Sequence, residues 1–516
     1  MWWILLLAYV ALAVTVGYRL GQDVNYDLRN YHFYVPYLAV EGRFEQDIHA
    51  AGIQSFLNPI LDLPFFFAAR GGVPPVVTFL TLTAFHGLAL WCVHRIAFLV
   101  LPGASLVAAH VGGGLAALTA LFGAGYYSEL GGTFGDNTVA TLVVGALALL
   151  VGNVDSGMPN LRRVAAAGVL FGLAAGAKLV IGMFGPGLLL AALWAEGPLR
   201  SRVWRGGTFL LAAGLGALAT GGYWMWLMYE HYQSPLFPFY NHIFQSPLAP
   251  ARDFGAAYYG SLPSRQVPFS LPFLLLKEQV VSSEVVFRDA RLAVGWLFVL
   301  AILAAAAFSR FAARVTPREV SERRLLLLAG FFIVSYAMWV TTVTIYRFAM
   351  TLELLAGPLL VGALASLVTK RTVGLAVAGA VCTFLILFTT PPDYVRIPWK
   401  TDYFGLSPSQ FSTYRRATIV MADFPSAYAA PFFPRSATFI RLVSNWGLDG
   451  TPMLERARHR IESTPRNRAY IMEHPEGAEA LSTRAALGAM GFTVDDSACQ
   501  TVSSHFDTLR ICPLER

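Results

Sequence analysis

The sequence predicts a mainly α-helical fold: a polytopic transmembrane helix bundle of about 11 spans, with interfacial helices in the first outer loop and a small α/β C-terminal extracytoplasmic domain. Of the 516 residues, 56% are hydrophobic and 13% are charged, whereas soluble domains carry about 25% charged residues. The mean hydropathy is +0.54, and the apolar residues form long runs. Runs of this length are typical of membrane-spanning helices.

Segments that could span the bilayer occur along the first three quarters of the chain. They are 2–20, 74–100, 105–125, 136–152, 164–181, 183–195, 206–228, 290–309, 325–342, 351–369 and 373–390. The first is expected to be a retained helix and not a signal peptide, because Arg19 follows the apolar run instead of preceding it. Residues 56–69 and 268–281 are too short or too interrupted by proline to span, so we expect helices lying in the interface.

Basic residues in the short loops set the expected orientation. The loops 153–163, 196–205 and 310–324 are rich in arginine, which places them and the N-terminus in the cytoplasm. The outer loops are then 21–73, 126–135 and 229–289, and the C-terminus is extracytoplasmic. The net charge of +7 therefore reflects membrane topology. No basic run contains interleaved aromatic residues, so nucleic acid is excluded as a partner.

The composition changes after residue 390, which predicts two domains, 1–390 and 391–516. Segments 417–424 and 468–474 are typical of strands, and 453–464 and 480–491 of helices. Cys499 and Cys512 lie 13 residues apart in this region. They form either a disulfide, if the domain faces an oxidising compartment, or two free thiols.

The first outer loop carries the strongest candidates for catalysis. Asp23 and Asp27 are four residues apart and would share one face of a helix. Two carboxylates that repel each other at a low-dielectric boundary favour retention of one proton, which suits a general base. We favour Asp27, which opens the sequence DLRNYH. The alternative is structural: one of the two caps a loop or pairs with Arg29.

The remaining candidates are polar residues at the predicted outer surface. Substrate-binding candidates are Tyr31, His32, Asn58, Glu129, Asp136 and Glu353. Structural alternatives stay open, because such a histidine is often merely hydrogen-bonded and because Asn58 or Asp136 could cap a helix. Lys178 lies near the outer end of its span and either snorkels or contacts an anionic lipid head. Arg347 lies between two spans, and it either binds a phosphate or forms an ion pair with Glu353.

Several motifs together resemble the GT-C superfamily of integral-membrane glycosyltransferases, and in particular an uncharacterised bacterial branch of it. DLRNYHFY with FLNPILDLP resembles the acidic first loop, and GTFGDN the second. YRFAMTLE resembles a late basic–acidic turn, and SPLFPFYNHIFQSP is similar to a motif of that branch. The layout of the whole chain is that of the superfamily: many spans, a long first outer loop and a C-terminal domain outside the membrane.

The resemblance implies an enzyme of the bacterial inner membrane. It would move a hexosyl or pentosyl group from a polyprenyl-phosphate donor to a hydroxyl of a lipid or glycan acceptor, with inversion. Asp27 or Asp23 would be the base, and Arg347 with Lys178 would bind the donor phosphate. The outer loops contain no Asp-X-Asp motif, so no cofactor is assigned, although a divalent metal ion is left open. Two other functions stay open: a flippase for a lipid-linked saccharide, and a non-catalytic membrane assembly protein.

Overall fold

The computed structural model describes residues 1–101, 104–154, 160–252, 267–280, 282–311, 320–368, 370–444, 446–448, 450–475 and 477–516. The chain divides into two compact units. The first consists of Met1–Leu20, Leu80–Gly222 and Tyr259–Tyr394. The second consists of Gly21–Phe79, Tyr223–Tyr258 and Val395–Arg516. The division at residue 390, which rests on composition, stays a prediction.

Every segment that the sequence predicts to span the membrane coincides with a helix. These helices are Trp2–Leu20, Pro75–Val100, Leu106–Leu121, Asp136–Val151, Leu161–Ala177, Gly185–Trp194, Leu199–Ala217, Arg291–Phe311, Val320–Thr342, Met350–Leu367 and Arg371–Phe388. Within the described residues, six helices are long and apolar enough to cross a bilayer by themselves. The chain is therefore an integral membrane protein, and the number of spans stays a prediction.

Small residues allow two of these helices to approach closely. Gly172 and Gly176 lie one turn apart on the helix Leu161–Ala177, and a Cβ atom on either would collide with the backbone of Ala213 or Ala217 on the helix Leu199–Ala217. Without a hydrophobic driving force between helices in lipid, such close backbone packing is a main source of helix association. This contact fixes the helix that ends immediately before Lys178.

The second unit contains a six-stranded mixed sheet. Its strands are β3 (Thr418–Met421), β4 (Thr438–Ile440), β5 (Ala469–Glu473), β6 (Thr493–Val494), β7 (Gln500–Ser503) and β8 (Thr508–Glu515). The order is β4-β3-β5-β8-β6, with β7 also on β8. Strands β3, β4 and β5 are parallel, whereas β8 is antiparallel to its neighbours. The helices Pro452–Glu462 and Ala478–Ala489 complete the α/β fold that the sequence predicts.

The first outer segment belongs to this α/β unit. Strand β1 (Gln22–Asp23) pairs with β2 (Arg396–Ile397), and Ile48 forms a parallel bridge to Ile440 at the end of β4. Arg43 and Asp47 form a buried ion pair at 2.8 Å, and Arg43 also donates to the backbone carbonyl groups of Arg435 and Ala437, just before β4. The short helices Gly52–Phe56, Pro59–Leu61 and Leu63–Arg70 lie where the sequence predicts interfacial helices.

Cys499 and Cys512 form a disulfide. It joins the segment before β7 to the middle of β8, and this resolves the alternative that the sequence left open. Two further cysteines, Cys92 and Cys382, are buried free thiols in the helices.

Candidate functional site

Four charged side chains from separate loops meet at one end of the helices in the first unit. Lys178 follows the helix Leu161–Ala177, and its Nζ lies 2.5 Å from Oδ1 of Asp136 and 3.0 Å from the carbonyl oxygen of Phe134. Arg347 lies in the 3-10 turn Tyr346–Ala349, with Nη1 3.7 Å from Oδ2 of Asp136. Nη2 of Arg347 lies 3.4 Å from Glu284. We call Lys178, Asp136, Glu284 and Arg347 the charged cluster.

Aromatic faces line the charged cluster. The guanidinium of Arg347 lies 4.8 Å from the ring centroid of Phe134 and 5.2 Å from that of Phe348. Nζ of Lys178 lies 5.0 Å from the same Phe348 ring. Cation–π contacts of this kind attract a desolvated cation by about 2 kcal/mol. These contacts with the ring faces hold both cations in place and leave the N–H groups of Arg347 and Lys178 able to bind other partners.

Asp136 joins the two cations and is not the cap of its helix. It is the first residue of the helix Asp136–Val151, and Gly135 precedes it with a left-handed φ of 80°. No side chain caps this helix end. The carboxylate instead bridges Lys178 and Arg347, so the structural alternative of an N-cap does not apply.

Glu129 is buried next to the charged cluster. Its side chain is 1% exposed, and within the described residues neither carboxylate oxygen has a hydrogen-bond partner. Burial, with a smaller contribution from the charge of Asp136, raises the pKa of Glu129 well above its usual value. Such surroundings favour the protonated, neutral form of a carboxyl group.

Glu284 occupies the solvent side of Arg347. Its side chain is 45% exposed, compared with 8% for that of Arg347. Within the charged cluster, the two cations balance the charges of the two carboxylates. Because Glu284 is half exposed and its contact to Arg347 is long, it is the member that an incoming anion would displace at the smallest cost.

Glu353 does not belong to this cluster. Its carboxylate accepts hydrogen bonds from the backbone N–H groups of Gly125 and Tyr126, each at 2.9 Å. Nearby, Asp289 and Arg291 form a fully buried ion pair at 2.6 Å. The alternative that Arg347 simply bridges to Glu353 is therefore not the observed arrangement. Glu353 instead secures the loop that precedes Glu129.

In the second unit, Asp23 and Asp27 lie in different local structures. Asp23 is extended, in β1, and its two carboxylate oxygens accept hydrogen bonds from Nδ2 of Asn25 at 2.9 and 2.7 Å. Oδ1 of Asn25 in turn accepts from the backbone N–H of Leu28 at 2.8 Å. Asp27 begins the next turn, and its Oδ2 accepts from the hydroxyl of Tyr31 at 3.2 Å. The two aspartates do not share a helical face.

The turn after Asp27 is a π-helix, Leu28–His32. Short π-helical turns are rare and frequently occur at functional sites. Within it, Arg29 approaches Asp507 at 3.7 Å and not Asp27. His32 Nδ1 lies 2.7 Å from Asp62 Oδ1, and the ring packs against that of Tyr31 with centroids 4.2 Å apart.

Two other residues of this loop have structural contacts. Oδ1 of Asn58 accepts from the backbone N–H of Ile60 at 3.1 Å and so caps the turn Pro59–Leu61. His49 is buried with φ of 35°, and burial lowers its pKa to about 3. A neutral buried histidine fits a structural role. A role for Asn58 in binding substrate stays a prediction.

The sequence candidates thus fall into two groups. The structure brings Glu129, Asp136, Lys178 and Arg347 together in the first unit, and Asp23, Asp27, Tyr31 and His32 together in the second. Sequence analysis missed Glu284, Asn25 and Asp507. Asn25 lies between the two aspartates and was identifiable as a short-range partner. Glu284 and Asp507 carried no local signal, because their partners are distant along the chain.

Within the described residues, one group of three potential ligands lies close enough to hold an ion: Asp496, Cys499 and Cys512. Its two sulfur atoms are joined in the disulfide. Asp136 is already neutralised by two cations. The donor set therefore does not fit a divalent ion, and we derive no step through one.

The fold is that of a polytopic membrane protein, and it is shared with solved structures. The chain is similar to a crystal structure of ArnT from Cupriavidus metallidurans bound to undecaprenyl phosphate, with a TM-score of 0.53 and 13% identity over 99% of this chain and 98% of that chain. For ArnT in the apo state the TM-score is 0.51 at 14% identity, covering 99% and 97%. No family model and no curated protein sequence matches the chain. The likeness therefore concerns the fold.

Proposed function

We propose that this protein is a membrane glycosyltransferase that moves a sugar from a polyprenyl-phosphate donor to an acceptor hydroxyl. The observation that carries the proposal is the pair of cations at one end of an apolar helix bundle, Lys178, which is 19% exposed, and Arg347, which is 8% exposed. Cations that are largely shielded from water in such a bundle are costly and mark functional sites. A lipid phosphate matches both their charge and their position, and ArnT, which shares the fold, binds undecaprenyl phosphate.

The proposed reaction needs a base, cations and exclusion of water. Asp27 accepts the proton of the acceptor hydroxyl, and the oxygen forms a bond to the anomeric carbon. The bond from that carbon to the phosphate oxygen breaks, and its electron pair stays on the phosphate. Arg347 and Lys178 neutralise the charge that develops there. Attack opposite to the leaving group inverts the anomeric configuration.

We place the reaction on the extracytoplasmic face. The arginine-rich loops predict that the N-terminus is cytoplasmic. The Cys499–Cys512 disulfide supports an oxidising environment for the C-terminal region. Both observations agree with a cell-envelope acceptor, a lipid or a glycan.

Arg347→Gln is expected to weaken the binding of undecaprenyl phosphate roughly ten- to a hundred-fold, because one charge-assisted hydrogen-bonding group is lost. Binding to the purified full-length protein is measured by native mass spectrometry or by displacement of a fluorescent analogue. Arg288→Gln is the matched control, because Arg288 lies 32% exposed in the same unit, beside Glu278. Unchanged affinity in Arg347→Gln, or an equal loss in both variants, contradicts the proposal.

Glu284→Gln is expected to act in the opposite direction and to strengthen the binding of undecaprenyl phosphate about two- to five-fold. The carboxylate of Glu284 lies on the solvent side of Arg347, where it competes with an incoming anion. The same titration measures the change. Glu278→Gln serves as the control, because this carboxylate is also exposed but lies 3.9 Å from Arg288. Weaker binding to Glu284→Gln would show that Glu284 contacts the ligand directly.

A further inference from the structure

We propose that Arg29 and Asp507 form a positioning pair, through which the C-terminal sheet holds the segment that carries Asp27. This inference rests on the proposed function, in which Asp27 is the base. It assigns the α/β unit a part in catalysis.

The pair joins the two ends of the second unit. Nη1 of Arg29 lies 3.7 Å from Oδ2 of Asp507, and the two side chains are 19% and 10% exposed. The guanidinium also lies over the ring of Phe506, 5.5 Å from its centroid. An ion pair that is largely shielded from water is screened less than a surface pair. Packing against the ring further restricts the arginine.

Asp507 is itself fixed, which a positioning group requires. It lies in the turn between β7 and β8, and its Oδ1 accepts from the hydroxyls of Ser504, at 2.6 Å, and Tyr428. Nε2 of His474, directly after β5, lies 3.4 Å from Oδ2. Burial favours the neutral form, but the hydrogen bonds from His474, Ser504 and Tyr428 outweigh it, so the pKa of Asp507 lies below its usual value. The carboxylate is therefore charged.

Arg29 is two residues from Asp27 and within the π-helical turn. The backbone N–H of Arg29 donates a hydrogen bond to the carbonyl oxygen of Asn25 at 3.3 Å. This bond joins the residues on the two sides of Asp27. A π-turn has poor intrinsic stability and persists where tertiary contacts impose it. Releasing Arg29 is expected to let the turn relax and to displace the Asp27 carboxylate. Misplacement by about 1 Å is enough to lower a rate about a hundred-fold.

Three single variants of the full-length protein, Arg29→Gln, Arg29→Lys and Asp507→Asn, and one double variant test the pair. The activity readout is release of undecaprenyl phosphate from a panel of undecaprenyl-phosphate-linked hexoses and pentoses. We expect Arg29→Gln and Asp507→Asn to lower kcat about ten- to a hundred-fold with KM for the donor nearly unchanged. Arg29→Lys should recover part of kcat, and the double variant Arg29→Gln/Asp507→Asn should be no worse than either single one.

Hydrogen–deuterium exchange gives a readout that does not depend on turnover. In Arg29→Gln, the amides of residues 28–32 are expected to exchange faster, whereas those of β3 and β5 keep their protection. Arg456→Gln is the matched control, because its ion pair with Glu45 is shorter, at 2.7 Å, but exposed. It should change neither exchange at residues 28–32 nor kcat.

Three results would overturn the positioning role. The first is unchanged exchange at residues 28–32 in both Arg29→Gln and Asp507→Asn. The second is a kcat of Arg29→Gln within two-fold of that of the parent protein, and the third is an equal loss of kcat in Arg456→Gln. If the exchange prediction holds while no donor in the panel turns over even in the parent, the positioning contact stands and the proposed function fails.

Discussion

Asp27→Asn is expected to lower kcat for sugar transfer by about 10²–10⁴-fold, because the amide is a far weaker base for the acceptor hydroxyl. The variant should fold normally, since asparagine keeps an oxygen that can accept the hydrogen bond from Tyr31. Binding of undecaprenyl phosphate should also be unchanged, because the proposal assigns that step to Arg347 and Lys178. Turnover of the donor panel and binding of the lipid are measured on the same purified sample.

Asp23→Asn separates the two candidate bases. Both oxygens of Asp23 accept from Asn25, which in turn caps the backbone of the following turn. A loss of thermal stability with a modest effect on kcat would agree with a structural role for Asp23. If Asp23→Asn, and not Asp27→Asn, abolishes turnover, the assignment of the base is wrong. A flippase or a non-catalytic assembly protein would tolerate Asp27→Asn.

The helices were predictable because their signal is local. An apolar run of sufficient length has no other stable structure in lipid than a helix, so each predicted span coincides with one. The C-terminal β3 and β5 were predictable for a similar reason, being short apolar runs bounded by polar residues. Strands β4 and β6 to β8 were not predicted. β6 and β7 are short, and their side chains alternate too little in burial to give a clear pattern.

The candidate site was predictable as single residues but not as an arrangement. Charges in apolar surroundings are conspicuous, so Lys178, Asp136 and Arg347 could be selected from the sequence. Their partners depend on which helix ends lie together, and helix packing leaves no local signal. The sequence therefore left open whether Arg347 bridges to Glu353, and the structure gives it Asp136 and Glu284 instead.

In the first outer loop as well, the candidate residues were predictable but their long-range contacts were not. Its carboxylates and aromatics marked it as functional, but nothing in residues 21–73 indicates that β1 pairs with β2 or that Ile48 extends the sheet beside β4. These contacts join residues that are hundreds of positions apart. They attach the segment that carries the candidate base to strands of the α/β unit, and sites held by rigid elements keep more accurate geometry than sites on loops.

Glu129→Gln is expected to become increasingly more stable than the parent protein as the pH rises. In the folded protein, burial raises the pKa of Glu129 well above its usual value, so the side chain keeps its proton. In the unfolded chain, the same side chain loses its proton at about pH 4.3. Below that pH, Glu129 is protonated in both the folded and the unfolded state, so its titration does not lower the unfolding free energy of the parent protein. Above it, the unfolding free energy of the parent falls relative to Glu129→Gln by up to about 1.4 kcal/mol per pH unit, until the folded pKa is reached.

Unfolding of both proteins in mixed micelles at pH 5, 6, 7 and 8 measures this difference. Asp136, Lys178, Arg347, Glu284 and Tyr394 all interact electrostatically with Glu129, and all are kept in the variant, so their own titration largely cancels. Glu455→Gln, at a carboxylate that is 63% exposed, should show a difference that does not grow with pH. A constant difference for Glu129→Gln would mean that Glu129 is ionised in the folded state. Together with Glu129, the charged cluster would then carry an excess of negative charge. A lipid phosphate would have to displace another carboxylate in addition to that of Glu284 in order to bind.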